Sequence, residues 1–357
     1  MDQRLDAIAG MGKLISRRGR EPLDWTDPNL LGWSDLVATA VWPALDDETR
    51  TRHADRLEGF AVAHALNTER NADILLQLER VAARLNAAGF EPIILKGAGH
   101  LATDLWPTPG SRLVADIDLL VGADDLDQVF SVLEDMAGAG AQDRGHPELV
   151  ARKKHMPPIH DAGGPAPVEI HHCVFSGASE RLMPYPEIHA RSVQIIIGSA
   201  RARIASPTDR VLNAMLHGPA GSGTYLAPAL HMRDLLDIHF LAELHGSEID
   251  WAWIESQATS LGWAPALEIT NLCLERFTGM PPPFQKGGRR SRLDAARWMW
   301  QLAHPKTRRA GLAANLLGYA VRSLASGGEP RRWALAYLRQ PETYRRAYRR
   351  YVLGRSE

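Results

Sequence analysis

Between Val114 and Val121 the chain reads Val-Ala-Asp-Ile-Asp-Leu-Leu-Val, and this run restricts the fold more than any other stretch. Its apolar residues have strand character, and successive strand side chains alternate faces. Asp116 and Asp118 therefore project from one face about a pleat apart. Aspartate is disfavoured in strands, and two like charges side by side repel. A shared divalent cation relieves that repulsion, so the pair reads first as a metal site. The Lys96-Gly97 turn upstream suggests that the metal carries a phosphate. A lone Asp-x-Asp is a weak motif found at many strand ends, so the surrounding residues decide its weight.

At 357 residues the chain is long for one core, which implies two or three domains. With 45% hydrophobic and 23% charged residues, it has the balance of a globular protein. Cys173 and Cys273 are the only cysteines, too few for a disulfide framework or a paired-cysteine metal knuckle. The N-terminus lacks an apolar signal segment, and no apolar run approaches bilayer-spanning length. A cytoplasmic protein without a transmembrane segment is expected.

The net charge of −1 conceals an asymmetry. From Lys286 to Glu357 there are 17 Lys and Arg against 4 Asp and Glu. Such a tail docks on the acidic body, or meets an acidic partner such as nucleic acid or an anionic membrane. Solvated arginine faces are the plainer account.

Periodic apolar positions from Ala61 to Leu85 predict a helix, with Gly89 placed to cap it. Phe90 to Leu95 reads as a strand, Ala98 to Leu105 as a helix, Asp116 to Val121 as a strand and Ala123 to Ala137 as a helix. Lys153 to Ile159 and Val168 to His172 read as strands joined by the Asp161–Pro165 turn, and Gln194 to Ile197 as a further strand. Ser206-Pro207 opens a helical half, with helices expected at about 208–217, 228–244, 250–261, 264–278, 291–303, 309–325 and 330–352. The expected organisation is α+β. A helical segment over 1–88 and a small mixed-sheet core over 89–205 precede a helical domain with a basic tail over 206–357.

Glu169, in Val168-Glu169-Ile170-His171-His172, is a third acid on a strand otherwise apolar. If that strand lies beside the Asp116–Asp118 strand, three carboxylates converge, a set suited to hard cations such as Mg2+. At this point the chain resembles the polymerase-β-like nucleotidyltransferase superfamily, and more closely the bacterial nucleotidyltransferase-family proteins left uncharacterised. The resemblance rests on Leu95-Lys96-Gly97, on Arg112 with Asp116 to Val121, and on Val168-Glu169-Ile170-His171. It spans roughly 60–300, extending more weakly through Leu216-His217-Gly218 and Arg233-Asp234-Leu235-Leu236.

That resemblance implies that Asp116 and Asp118 bind catalytic Mg2+, with Mn2+ as the alternative ion, and that Glu169 completes the set and acts as general base. It implies that the Gly97 turn and following helix receive a nucleoside triphosphate, with Lys96 and Arg112 neutralising phosphate charge. The turn differs from the Gly-Gly or Gly-Ser of many relatives and is followed by Ala98-Gly99 rather than a serine.

His171 alternates in phase with Glu169 and is expected to face the same cleft. Lys154 and His155 either assist the polyphosphate or form an exposed edge-strand charge run. His172 reads as structural, and Cys173 finds no second cluster at zinc-ligand spacing. Asp234 is expected to meet a helix end or an arginine, and His217 to pack rather than ligate. The tryptophans Trp251, Trp253, Trp263, Trp298 and Trp300 read as core.

The expected activity is transfer of a nucleoside monophosphate from a nucleoside triphosphate to a hydroxyl or phosphate acceptor, which the resemblance implies is a small molecule or peptide of a biosynthetic pathway. The rivals are other phosphate chemistry on a phosphorylated peptide or sugar phosphate, a non-catalytic nucleotide-binding scaffold, and an RNA-modifying enzyme using the basic tail. Nucleic acid is the less favoured acceptor.

Overall fold

A computed structural model describes residues 3–17, 23–25, 37–137, 154–221 and 228–304. The expected helices at 309–325 and 330–352, most of the basic tail, and Lys153 lie outside them. The chain opens with α1 (Gln3–Arg17), α2 (Ala38–Ala44), α3 (Asp47–Arg52) and the long α4 (Ala54–Ala87). There follow β1 (Ile93–Ile94), α5 (Lys96–Ala102), β2 (Ile117–Leu120), α6 (Leu126–Leu133) and β3 (Val168–His171). Next come α7 (Tyr185–Arg191), β4 (Val193–Ile197) and β5 (Ala200–Ile204). The remainder is helical: α8 (Pro207–Leu216), α9 (Met232–His245), α10 (Trp251–Ser260), α11 (Ala264–Thr278) and α12 (Arg289–Ala303). The architecture is α+β, as expected.

One mixed sheet runs in the order β3-β2-β1-β5-β4. β2 pairs parallel to β3 and antiparallel to β1, while β5 lies parallel to β1 and antiparallel to β4. The segment expected to be a strand over 153–159 makes only isolated antiparallel bridges to β3, at His155–His171 and Ile159–Val168. Prolines at 157 and 158 remove the donors that a continuous ladder needs there.

Strand alternation divides the molecule into two cores. Ile94, Ile117, Leu119, Val168 and Ile170 face α4 and α6, where they meet Ile74, Leu78, Val81, Leu85 and Phe130. Each fully buried aliphatic side chain contributes about 1.5–3 kcal/mol here. The opposite face carries Ile93 and Leu120 into the second core, formed largely by the helical half. The acidic residues Asp118 and Glu169 share that second parity, so the sheet turns its polar positions toward the helices.

Local signals account for several boundaries. Gly89 follows α4 with φ +88, a left-handed position suited to glycine, and Phe90 N–H returns to Leu85 O at 2.9 Å. Ser206 Oγ accepts from Asp209 N–H at 3.2 Å ahead of Pro207, starting α8 as the sequence predicts. Helix α1 is tied to the helical half by Ser16 Oγ donating to Thr278 O at 2.7 Å. Trp298 is core, but Trp300 is exposed and stacks on His304, because the two lie one helical turn apart on the outer side of α12.

Candidate active site

The site begins where β1 ends. Leu95 N–H donates to Asp118 O at 2.9 Å, which holds the start of α5 against β2. Lys96 then adopts φ +45, a left-handed backbone that is costly for a side-chain-bearing residue. Gly97 follows because the space beside it is filled: a Cβ there would collide with the Arg112 guanidinium. The twist at Lys96 carries its side chain back over the sheet, where Nζ reaches Asp118 Oδ1 at 2.8 Å.

Asp118 stands at the centre. Parallel pairing sets it beside Glu169, and His171 lies two residues along the same strand face. His171 Nε2 is 2.6 Å from Asp118 Oδ1 and 3.5 Å from Glu169 Oε2, while His155 Nε2 is 3.6 Å from the same Glu169 oxygen. The His155 and His171 rings tilt against each other with centroids 5.0 Å apart. His155 is anchored through Nδ1 to Met156 O at 2.7 Å.

These contacts set the protonation states. Burial alone would raise the Asp118 pKa, but the Lys96 ammonium and the His171 ring overrule it and hold the carboxyl well below the usual range. Burial likewise works to discharge Lys96, and Asp118 reverses that, leaving Lys96 raised. The His171 ring holds Glu169 below its ordinary value against desolvation, and His155 adds to the effect. Asp116 behaves oppositely: burial and the neighbouring Asp118 charge raise it. Lys154 is lowered by burial and by repulsion from Lys96.

Among the described residues, Asp118, Glu169 and His171 each offer a donor atom within 4.8 Å of the others. Among the described residues, Asp118 Oδ2 and both His171 ring nitrogens are buried without a hydrogen bond of acceptable geometry. Buried polar atoms are nearly always satisfied, so an unsatisfied carboxylate oxygen inside such a group suits a divalent cation. Asp116 is half-buried just ahead of β2 and lies outside this close group. Its raised pKa still makes it a carboxylate that a nearby cation would relieve.

A cavity continues from this cluster toward the helical half. Lys96, Gly97 and Asp116 form its sheet wall, and Arg210, Arg233 and Asp234 belong to its helical wall. Arg112 also borders it, but its guanidinium is held: Nε and Nη2 donate to Asp237 Oδ1 and Oδ2 at 2.8 and 2.7 Å. Asp237 further accepts from Trp106 Nε1 at 2.7 Å, and His100 Nε2 lies 3.5 Å away. The backbone before Asp116 is gripped from α4, where Asn67 and Asn71 donate to Arg112 O at 3.0 and 2.9 Å.

Of the residues expected from sequence, Lys96, Asp118, Lys154, His155, Glu169 and His171 gather around one point, with Asp116 and Gly97 at its margin. Arg112 is adjacent, tied to α9. Arg233 and Asp237 did not emerge as site residues from sequence. Arg233 Nη1 donates to Leu113 O at 2.9 Å beside the cavity. The available signal was Asp237 between Leu236 and Ile238, an acid on an apolar stretch of helix. Asp234 meets His217, whose Nδ1 lies 2.8 Å from Asp234 Oδ2, rather than a helix end or an arginine.

A sequence model of a family described as uncharacterised nucleotidyltransferase matches residues 35–279. No curated protein and no solved structure matches the chain. The matched span contains the whole sheet, the carboxylate–histidine cluster and α8 to α11. Among the described residues no helix is long and apolar enough to cross a membrane.

Proposed function

The chain belongs to the uncharacterised nucleotidyltransferase family, and from that premise we propose that it moves a nucleoside monophosphate from a nucleoside triphosphate to a hydroxyl or phosphate acceptor. Family membership supports nucleotidyl transfer as the reaction class. The observation that carries the finer reading is Asp118, buried and charged, with one oxygen unsatisfied beside Glu169 and His171.

In this reading Asp118 and Glu169, with Asp116 alongside, hold Mg2+ or Mn2+. Such a cation supplies neutralisation of triphosphate charge and acidifies the attacking oxygen. Lys96 keeps Asp118 ionised through the Nζ–Oδ1 contact, so the ligand needs no deprotonation when the substrate arrives. Lys96, Lys154 and Arg233 bring positive charge toward the phosphates, where preorganised charge acts without reorganisation. Their geometry, rather than covalent chemistry by the protein, lowers the barrier.

The acceptor oxygen attacks the α-phosphorus, the bond to the β-phosphate oxygen breaks, and pyrophosphate departs. The acceptor proton passes to Glu169, which is held ionised by His171 and is therefore able to accept it. The acceptor enters through the cavity between the sheet and α8 and α9. The Arg112–Asp237 ion pair belongs to the lining of this recess between sheet and helices, a setting that favours a small molecule or a peptide end over a duplex.

The test incubates the full chain with each labelled nucleoside triphosphate, Mg2+ and an extract of the host cell, following pyrophosphate release and label transfer. Asp118→Asn should reduce transfer by roughly 10^2–10^3-fold, the scale of removing one preorganised group from a transition state. If Asp118→Asn and Asp116→Asn label the same products as the wild type at the same rate, the reading is wrong.

A further inference from the structure

Across the cavity from Asp116 lies a second group, made of residues to which the nucleotidyl reading gives no role. α8 does not end in an ordinary cap: it runs into a π-helical turn over His217–Gly221, a rare geometry that often accompanies function. His231 and Asp234 lie at the start of α9, three residues apart and so on one side of its first turn. His217 Nδ1 is 2.8 Å from Asp234 Oδ2, and the His217 and His231 rings stand edge to face with centroids 5.8 Å apart. One donor atom of each of the three lies within 4.8 Å of the others. His231 Nε2 is buried and has no hydrogen-bond partner among the described residues.

The geometry points to a second cation site, formed by His217, His231 and Asp234, that binds a zinc-class divalent ion through two imidazole nitrogens and one carboxylate. Two histidines and an acid are a borderline-soft donor set, which suits Zn2+, Co2+ or Ni2+ better than Mg2+. Three protein ligands leave coordination open to water or to a donor atom of an incoming molecule. His217 and Asp234 border the cavity shared with Lys96 and Asp116, and Asp234 and His231 border a neighbouring pocket. Because His217 and Asp234 border the space where the acceptor is placed, an ion held by the three residues would serve acceptor binding rather than the triphosphate. The site itself stands independently of the nucleotidyl reading.

The test measures metal binding directly. Metal-free full-length protein is titrated with Zn2+ calorimetrically and with Co2+ by its visible absorption, using wild type, His231→Gln, Asp234→Asn and Glu169→Gln/Asp118→Asn. Wild type and the Glu169→Gln/Asp118→Asn variant should both bind Zn2+ at this site and show Co2+ bands of nitrogen-ligated type. His231→Gln and Asp234→Asn should lose one molar equivalent, with thermal unfolding in chelator unchanged for His231→Gln. Retention of full stoichiometry by both His231→Gln and Asp234→Asn overturns the proposal. So does loss of all Zn2+ binding in Glu169→Gln/Asp118→Asn, since that assigns the ion to the sheet cluster. Failure of nucleotidyl transfer with this binding intact would leave the second site standing.

Discussion

Asp118 on β2 and Asp237 on α9 are alike by simple measures. They are 1% and 2% exposed, and neighbouring cations hold both carboxyls well below the usual range despite burial. Their hydrogen bonding separates them. Both oxygens of Asp237 are taken, by the Arg112 fork and by Trp106. Asp118 receives Lys96 and the His171 ring on one oxygen, and its other oxygen is buried with no donor among the described residues. Burial and a depressed pKa thus do not distinguish a structural acid from a ligand; the unsatisfied oxygen does.

The largest effect expected from breaking this pair is on stability at Asp237. Asp237→Ala leaves the Arg112 guanidinium buried and uncompensated, which should cost about 3–5 kcal/mol in denaturant unfolding. Asp118→Asn should cost distinctly less, because Lys96 is partly exposed and can turn toward water. Equal losses in the two variants would erase the distinction drawn here.

Acid sharpens the comparison next. Both folded pKa values lie below the unfolded one, so the unfolded chain binds protons first as pH falls. Each carboxylate's contribution is complete above the ordinary aspartate range, roughly pH 4, and is lost as pH drops below it toward the depressed values. Unfolding free energy measured from pH 6 to pH 2 should fall steeply below pH 4 in the wild type, and less steeply in Asp237→Asn. Parallel curves would show that Asp237 is not held down as described.

The smallest expected effect falls on the joint between the two acids. Gly97→Ala drives a methyl into the Arg112 guanidinium and should cost about 1–3 kcal/mol, as overpacking does. Because the displaced guanidinium lies between α5 and α9, Asp237→Ala should make the Gly97→Ala penalty smaller in a double-mutant cycle. Strict additivity would mean that Gly97 and the ion pair are unconnected.

Much of the sheet half was legible in sequence. Asp-Ile-Asp-Leu-Leu-Val and Val-Glu-Ile-His obey the period of two, and alternation alone pairs Asp116 with Asp118, and Glu169 with His171, on one face of each strand. Gly89 and Ser206-Pro207 mark helix ends through local chemistry that needs no tertiary context. Arg112 was legible as a cation near the aspartates, but not in its partner. Asp237 is 125 residues away, and nothing local in either segment encodes their meeting. The segment before β3 reads as a strand from composition, yet its paired prolines limit it to bridges.

By itself, then, the sequence determined the period-two strands, the helix caps and which acids and histidines share a face within each strand. These are short-range consequences of side-chain direction and backbone propensity. Only the tertiary structure decided that Glu169 lies beside Asp118, that Lys96 turns back to meet it, and that Arg112 is bound to α9. It also decided that His217, His231 and Asp234 converge on the opposite wall. Strand register and helix packing join positions far apart in the chain, and which polar atoms are left unsatisfied is settled only when those partners meet.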